Sequence, residues 1–123
     1  MSSRGAVPIA LAILLACAAL ALARGSFAAG DPGAGKKIFL SRCIACHKVD
    51  GTGGVKLTGN PSPNWKDPKY VNNPKWNEAY LRDCITNGKT KSGMVAWGKT
   101  GQVKPQQIED LIAYIKTFKA AAK

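Results

Sequence analysis

Cys43-Ile44-Ala45-Cys46-His47 brings two thiols and an imidazole together within five residues. On a helical turn, positions three apart share a face. The thiols are then spaced to add to the two vinyl groups of a haem, and His47 is placed to bind the iron from one side. The reading is specific because it needs three residues at fixed offsets. Two other chemistries use a CxxC pair. A zinc site normally needs four ligands, usually from a second Cys or His pair. This chain has no second CxxC, and His47 is its only His. A thioredoxin-like dithiol sits in a βαβ setting, and the hydrophobic pattern offers none. Haem attachment is the reading these residues favour.

The other face of the iron follows by elimination. With one His, this chain alone cannot supply two imidazoles. Of its two Met residues, one is the initiator Met1, which leaves Met94. A lone Met is often core filler, but Met94 lies between Gly93 and Trp97-Gly98, in a stretch that reads as loop. A lysine such as Lys91 or Lys99, or an open position, is the alternative. A His/Met pair closes the iron to substrate and raises its reduction potential, whereas an open position admits gases or peroxide.

These residues sit in a chain of 123 residues, room for one small domain. Its first stretch differs from the rest. Between Arg4 and Arg24 no charge occurs and Ala, Leu, Ile and Val dominate, the pattern of a secretory signal peptide over residues 1–28. Ala21-Leu22-Ala23 and Ser26-Phe27-Ala28 are both plausible cleavage sites. Two alternatives stay open. The apolar run is long enough to serve as a retained membrane anchor, and Leu14-Leu15-Ala16-Cys17 loosely resembles a lipoprotein box. All three imply export to the periplasm. Outside the cytosol, small Cys-bearing domains usually use thiols for disulfides. Beyond the leader only Cys43, Cys46 and Cys84 remain, too few for a stapled fold, so a buried cofactor would have to help hold the domain. Cys84 itself reads as a buried, inert thiol.

Three helices must position the chemistry. Asp31-Pro32 is a strong start, an acidic N-cap with Pro at the first helical position. That helix runs to about residue 42, and Phe39, Cys43 and Cys46 follow one another along a face. Residues 50–74 carry four Gly and four Pro without alternation, so they read as loop. A second helix fits residues 75–86, with Trp76, Ala79, Tyr80, Leu81, Cys84 and Ile85 on its apolar face and Asn87-Gly88 as its stop. Residues 89–101 form a loop around Met94. The last helix starts at Pro105 and buries Ile108, Leu111, Ile112, Ile115 and Phe118, although Lys104 is a poor N-cap. The expected fold is all-α, three main helices with long loops wrapped around one covalently attached haem. Trp65, Tyr70 and Trp97 read either as walls of its pocket or as donors to its propionates. Arg82 could pair a propionate, but on an exposed helical face it reads rather as a solvated charge.

Over residues 31–120 the chain resembles the class I cytochrome c family. Gly35 and Phe39 precede the haem motif as in that family, Met94-Val95-Ala96-Trp97-Gly98 looks like its Met-Pro-x-Trp-Gly segment, and Leu111-Ile112-Ala113-Tyr114-Ile115 looks like its closing helix. The resemblance implies that Gly35 and Phe39 pack against Tyr114, and that Ile85-Thr86-Asn87-Gly88 leads into the Met loop. Two departures matter. Family members often carry Gly-Pro soon after the haem motif, the Pro carbonyl accepting the His Nδ1–H bond. Here Gly53-Gly54-Val55 stands instead, which points to a carbonyl near Val55. Val95 replaces the Pro after Met94, which removes a fixed φ and should loosen the loop.

Charge bears on partners. Of 18 basic residues, Arg4 and Arg24 belong to the leader, leaving 16 against 7 acidic ones and a net charge of +9. Nucleic acid is one reading of such a balance. Export and the absence of any binding motif argue against it. Redox proteins with acidic docking surfaces fit better, because electron-transfer contacts are small and brief and profit from charge steering. The expectation is a monomeric, periplasmic electron carrier rather than an enzyme. It would hold one haem c and its iron through Cys43 and Cys46, with His47 and Met94 as iron ligands. The alternatives are a fixed electron-transfer subunit of a respiratory or dehydrogenase complex, tethered by the leader, and a haem sensor or peroxidase-like protein with an open iron site. Peroxidase chemistry usually needs a distal acid–base group, and no second His exists to serve.

Overall fold

A computed structural model describes residues 27–121. Residues 1–26 of the leader, including Cys17 and the first candidate cleavage site, lie outside the described residues. Among the described residues five α-helices follow one another: α1 Pro32–Arg42, α2 Ile44–His47, α3 Pro68–Val71, α4 Glu78–Asn87 and α5 Pro105–Ala120, with a 3-10 turn at Thr90–Ser92. Among the described residues there is no strand, only one isolated bridge between Lys89 and Met94. The all-α expectation holds, and no helix of the described residues is long and apolar enough to cross a membrane.

The Asp31 side chain accepts from the Gly33 N–H at 2.7 Å and Pro32 opens α1. This helix buries only Gly35 and Phe39, yet it makes the central crossing with α5. A side chain at Gly35 would overlap the Asp110 carbonyl, so only glycine lets the two backbones meet. Phe39 is fully buried and meets Tyr114 edge-on at 5.2 Å between centroids. The implied crossing is therefore present, with Gly35 seated on the α5 backbone rather than on the Tyr114 ring. Truncating Phe39 to Ala would cost about 3–5 kcal/mol. Asp110, a buried carboxylate, ties down the chain entering α1 by accepting from the Asp31 N–H at 2.9 Å.

Helix α5 buries Ile108, Leu111, Ile112, Ile115 and Phe118 as the helical period requires. Gln107 compensates for the weak cap, its side chain accepting from the Lys104 N–H at 2.8 Å. Helix α4 starts later than expected. Asn77 is its cap, accepting from the Tyr80 N–H at 3.0 Å, so Trp76 precedes the helix and Ala79 is exposed. Arg82 is not merely solvated. Its guanidinium makes two hydrogen bonds to the Glu109 carboxylate, at 2.6 and 2.7 Å, and joins α4 to α5. The expected loop over residues 50–74 is irregular except for α3, whose Asp67 cap and Pro68 repeat the signal that opens α1.

Candidate functional site

Helix α1 runs into the motif with a bend at Cys43 (φ −112°, ψ −22°). The next turn continues, with the His47 N–H donating to the Cys43 carbonyl at 2.9 Å. Lys48 then ends it at φ 58°, ψ 159°, which turns the chain sharply away behind His47. The returning loop is held to the motif. The Gly53 N–H donates to the His47 carbonyl at 3.2 Å, and the Ser62 hydroxyl donates to the Cys46 carbonyl. The Trp65 N–H reaches the Gly51 carbonyl at 3.0 Å, and the indole lies on the His47 ring.

Cys43, Cys46 and Cys84 are free thiols. Burial pushes the Cys43 thiol up to about 11, with the Arg42 charge opposing, so it stays protonated at neutral pH. Burial pulls His47 down to about 4. Its imidazole is therefore neutral across the physiological range, the form that binds a metal.

The Met loop is pinned from two sides. Met94 and Lys89 exchange backbone hydrogen bonds. The Gly98 and Lys99 N–H groups donate to the Ile85 and Thr86 carbonyls at 3.2 and 2.9 Å. The end of α4 thus leads into the Met loop as the resemblance implies, and these contacts offset the freedom that Val95 introduces.

Between the motif and the Met loop lies an apolar cavity of about 90 Å³, lined by Phe39, His47, Trp65, Cys84, Met94 and Leu111 among others. It adjoins an open crevice of about 800 Å³ that reaches Cys46, Tyr70 and Lys91. Cys43, His47 and Met94 line both spaces, and Cys46 lines the crevice. All four predicted site residues are thus brought to one continuous space, of a size that takes a large flat cofactor. A haem fits this donor set: two unpaired thiols on one turn, a neutral imidazole, a thioether and apolar walls. Two buried nitrogens, His47 Nδ1 and Trp65 Nε1, have no hydrogen-bond partner. A zinc site does not fit, because no three His, Cys, Asp or Glu gather among the described residues.

Two sequence readings gain detail. The Val55 carbonyl is engaged by the Ser62 N–H at 2.9 Å, and Pro63, not Val55, lines both spaces with His47. Pro63 follows an exposed stretch, Lys56–Pro61. Trp65 lines the cavity, as one of its two sequence readings expects; its contact with His47 is the part that sequence reasoning missed. The available signal was a single Trp inside an otherwise polar, Pro-rich loop, a residue type that rarely stays in water.

Comparisons with known proteins agree. The family model described as cytochrome c oxidase, cbb3-type, subunit III matches residues 30–115. The chain is 30% identical to a protein named cytochrome c-554 from Methylosinus trichosporium, covering 94% of this chain and 96% of that one. It is 29% identical to cytochrome c2 from Rhodomicrobium vannielii, over 88% of this chain and 95% of that protein. It is 34% identical to the cbb3-type cytochrome c oxidase subunit FixP of a Bradyrhizobium strain, over 72% of this chain but 28% of that protein. Covalently bound haem c, with its iron, is the cofactor, and carrying electrons is the function. The chain belongs to the class I c-type cytochrome family.

Proposed function

We propose that this protein is a periplasmic carrier of single electrons, not an enzyme, with Cys43 and Cys46 as the haem anchors and His47 and Met94 as the axial pair. The observation that carries the reading is the placement of Met94 and His47 on the walls of one cavity, in a chain whose only other Met is Met1. When bound, the haem iron supplies a one-electron couple. The chain's own residues do the rest. Cys43 and Cys46 fix the cofactor to the end of α1. His47 presents a neutral imidazole, and the Lys89–Met94 pair holds the thioether in place. Phe39, Leu81 and Leu111 keep water from the inner wall. With His47 and Met94 both holding the iron, an electron would pass with little rearrangement and no substrate would reach the metal.

Absorption spectra of the oxidised and reduced protein, with and without carbon monoxide, test this. The expected result is a low-spin spectrum with the far-red methionine–iron band, unchanged by carbon monoxide. Met94→Ala should abolish that band, admit carbon monoxide and lower the potential. A wild type that binds carbon monoxide readily would instead support the open-site reading. A second reading, a fixed subunit of a larger oxidase-type complex, is favoured by the family description and by the FixP relative. It predicts that the protein stays with the membrane fraction through a high-salt wash.

A further inference from the structure

Trp65 is 4% exposed and lies nearly parallel to the His47 imidazole, with centroids 4.5 Å apart and planes 9° from parallel. Phe118 stacks on Trp65 in turn, at 5.9 Å and 14°, and Phe39 closes against it at 5.9 Å. The backbone bond to Gly51 fixes where the indole enters. A ligating His is usually oriented by a hydrogen bond from its other nitrogen. Among the described residues His47 Nδ1 has none. What limits rotation of the imidazole is the flat face beside it: turning the ring out of parallel drives its edge into the indole, which Phe118 and Phe39 prevent from yielding.

We propose that Trp65 is a positioning residue for His47, its indole setting the plane of the imidazole and biasing the centre toward the oxidised state. The inference rests on the reading of His47 as an iron ligand. The bias follows from electrostatics. Oxidation of the iron places more positive charge on the bound imidazole, and the face of an indole carries the negative part of its quadrupole. The oxidised centre is therefore stabilised more than the reduced one, which holds the potential down. The expected size is that of a cation over an aromatic face, about a two- to five-fold shift in the oxidised-to-reduced ratio.

The experiment compares the haem-loaded wild type with Trp65→Leu and Trp65→Phe. Midpoint potentials are measured alongside the proton NMR shifts of the haem methyl groups in the oxidised protein, which report the orientation of the axial imidazole. Trp65→Leu keeps an apolar side chain and removes the π face, so it should raise the potential and rearrange the methyl shifts. Trp65→Phe restores a face and should recover most of both. If Trp65→Leu fails to hold haem, Trp65→Met takes its place as a flexible apolar side chain without a face. Unchanged potential and methyl shifts in the variant lacking a face would overturn the proposal, as would changes that Phe does not recover. A high-spin wild-type spectrum, or ready carbon monoxide binding by the wild type, would count against the His47/Met94 reading before any variant is compared, so the two readings can fail separately.

Discussion

Lys89 and Met94 exchange both of their backbone hydrogen bonds, each N–H donating to the other's carbonyl at 3.1 Å. This reciprocal pair, closed by the 3-10 turn Thr90–Ser92, fixes the backbone that carries the only thioether beyond Met1. It stands where the family resemblance places a rigid proline one residue later.

The pair depends on Gly88. That residue has φ 71° and ψ −178°, a conformation that essentially only glycine adopts. A Cβ there would lie 2.6 Å from the Met94 carbonyl oxygen and 2.7 Å from the Ala96 nitrogen. Gly88→Ala should therefore cost about 2 kcal/mol or more in denaturant unfolding. It should also weaken the far-red methionine–iron band, because the strain falls on the loop that presents Met94. A variant with full stability and an intact band would show that other contacts hold the loop.

Lys48 is the reverse case. It is the one non-glycine at positive φ among the described residues, at φ 58° and ψ 159°. Strain of this kind costs about 1–3 kcal/mol, and Lys48→Gly relieves it while adding some freedom to the unfolded chain. A net gain of about 1 kcal/mol is expected, or a rise of about 4–8 °C in Tm for a domain this small. A fall in Tm would mean that the lysine stem makes contacts worth more than the strain.

How far the molecule could be read in advance varied with the kind of contact. Helices α1 and α5 were legible because Asp31-Pro32, Pro105 and the apolar stripe are local signals. The start of α4 was not, because Trp76 fits the apolar face of a longer helix and only the cap at Asn77 decides against it. Helix α3 has too few residues for any period, although its Asp67-Pro68 pair was visible. Residue type and fixed spacing singled out Cys43, Cys46 and His47, and elimination left Met94. The Trp65–His47 stack and the Arg82–Glu109 pair are tertiary contacts between segments far apart in the chain, and no pattern along the chain encodes them.

The Arg82–Glu109 pair makes stability depend on acid. The Arg82 hydrogen bonds hold the Glu109 carboxyl below the usual carboxylate range, against a smaller opposing effect of burial. A group with a lowered folded pKa contributes stability above its unfolded pKa, and that stability is lost as pH falls through the folded value. The Arg82 side chain is 42% exposed, so solvent screening limits the pair to about 0.5–1 kcal/mol. Glu109→Gln should lower stability by that amount at pH 7. The deficit should shrink and vanish as both proteins are titrated into acid, below the folded pKa of Glu109. A deficit independent of pH would assign the loss to packing rather than to charge.

Charge around the crevice should steer anionic partners to it. Lys69 and Lys91 are exposed at its mouth, while Lys89 is engaged with Asp83 at 3.4 Å and with the Tyr80 ring. Among the described residues Lys91 makes no ion pair, and it lies at the mouth of the crevice. Lys36, exposed on α1, lines neither space. Reversing either lysine changes the net charge equally, so the two variants separate local steering from overall attraction. Oxidation of the reduced protein by hexacyanoferrate, a highly charged anion, provides the rate. At low ionic strength Lys91→Glu should slow it roughly threefold and Lys36→Glu much less. Both differences should fade above about 0.1 M salt, where the screening length falls to about 10 Å. Equal slowing by the two variants would leave only net attraction, and a rate insensitive to salt would remove the electrostatic argument for docking altogether.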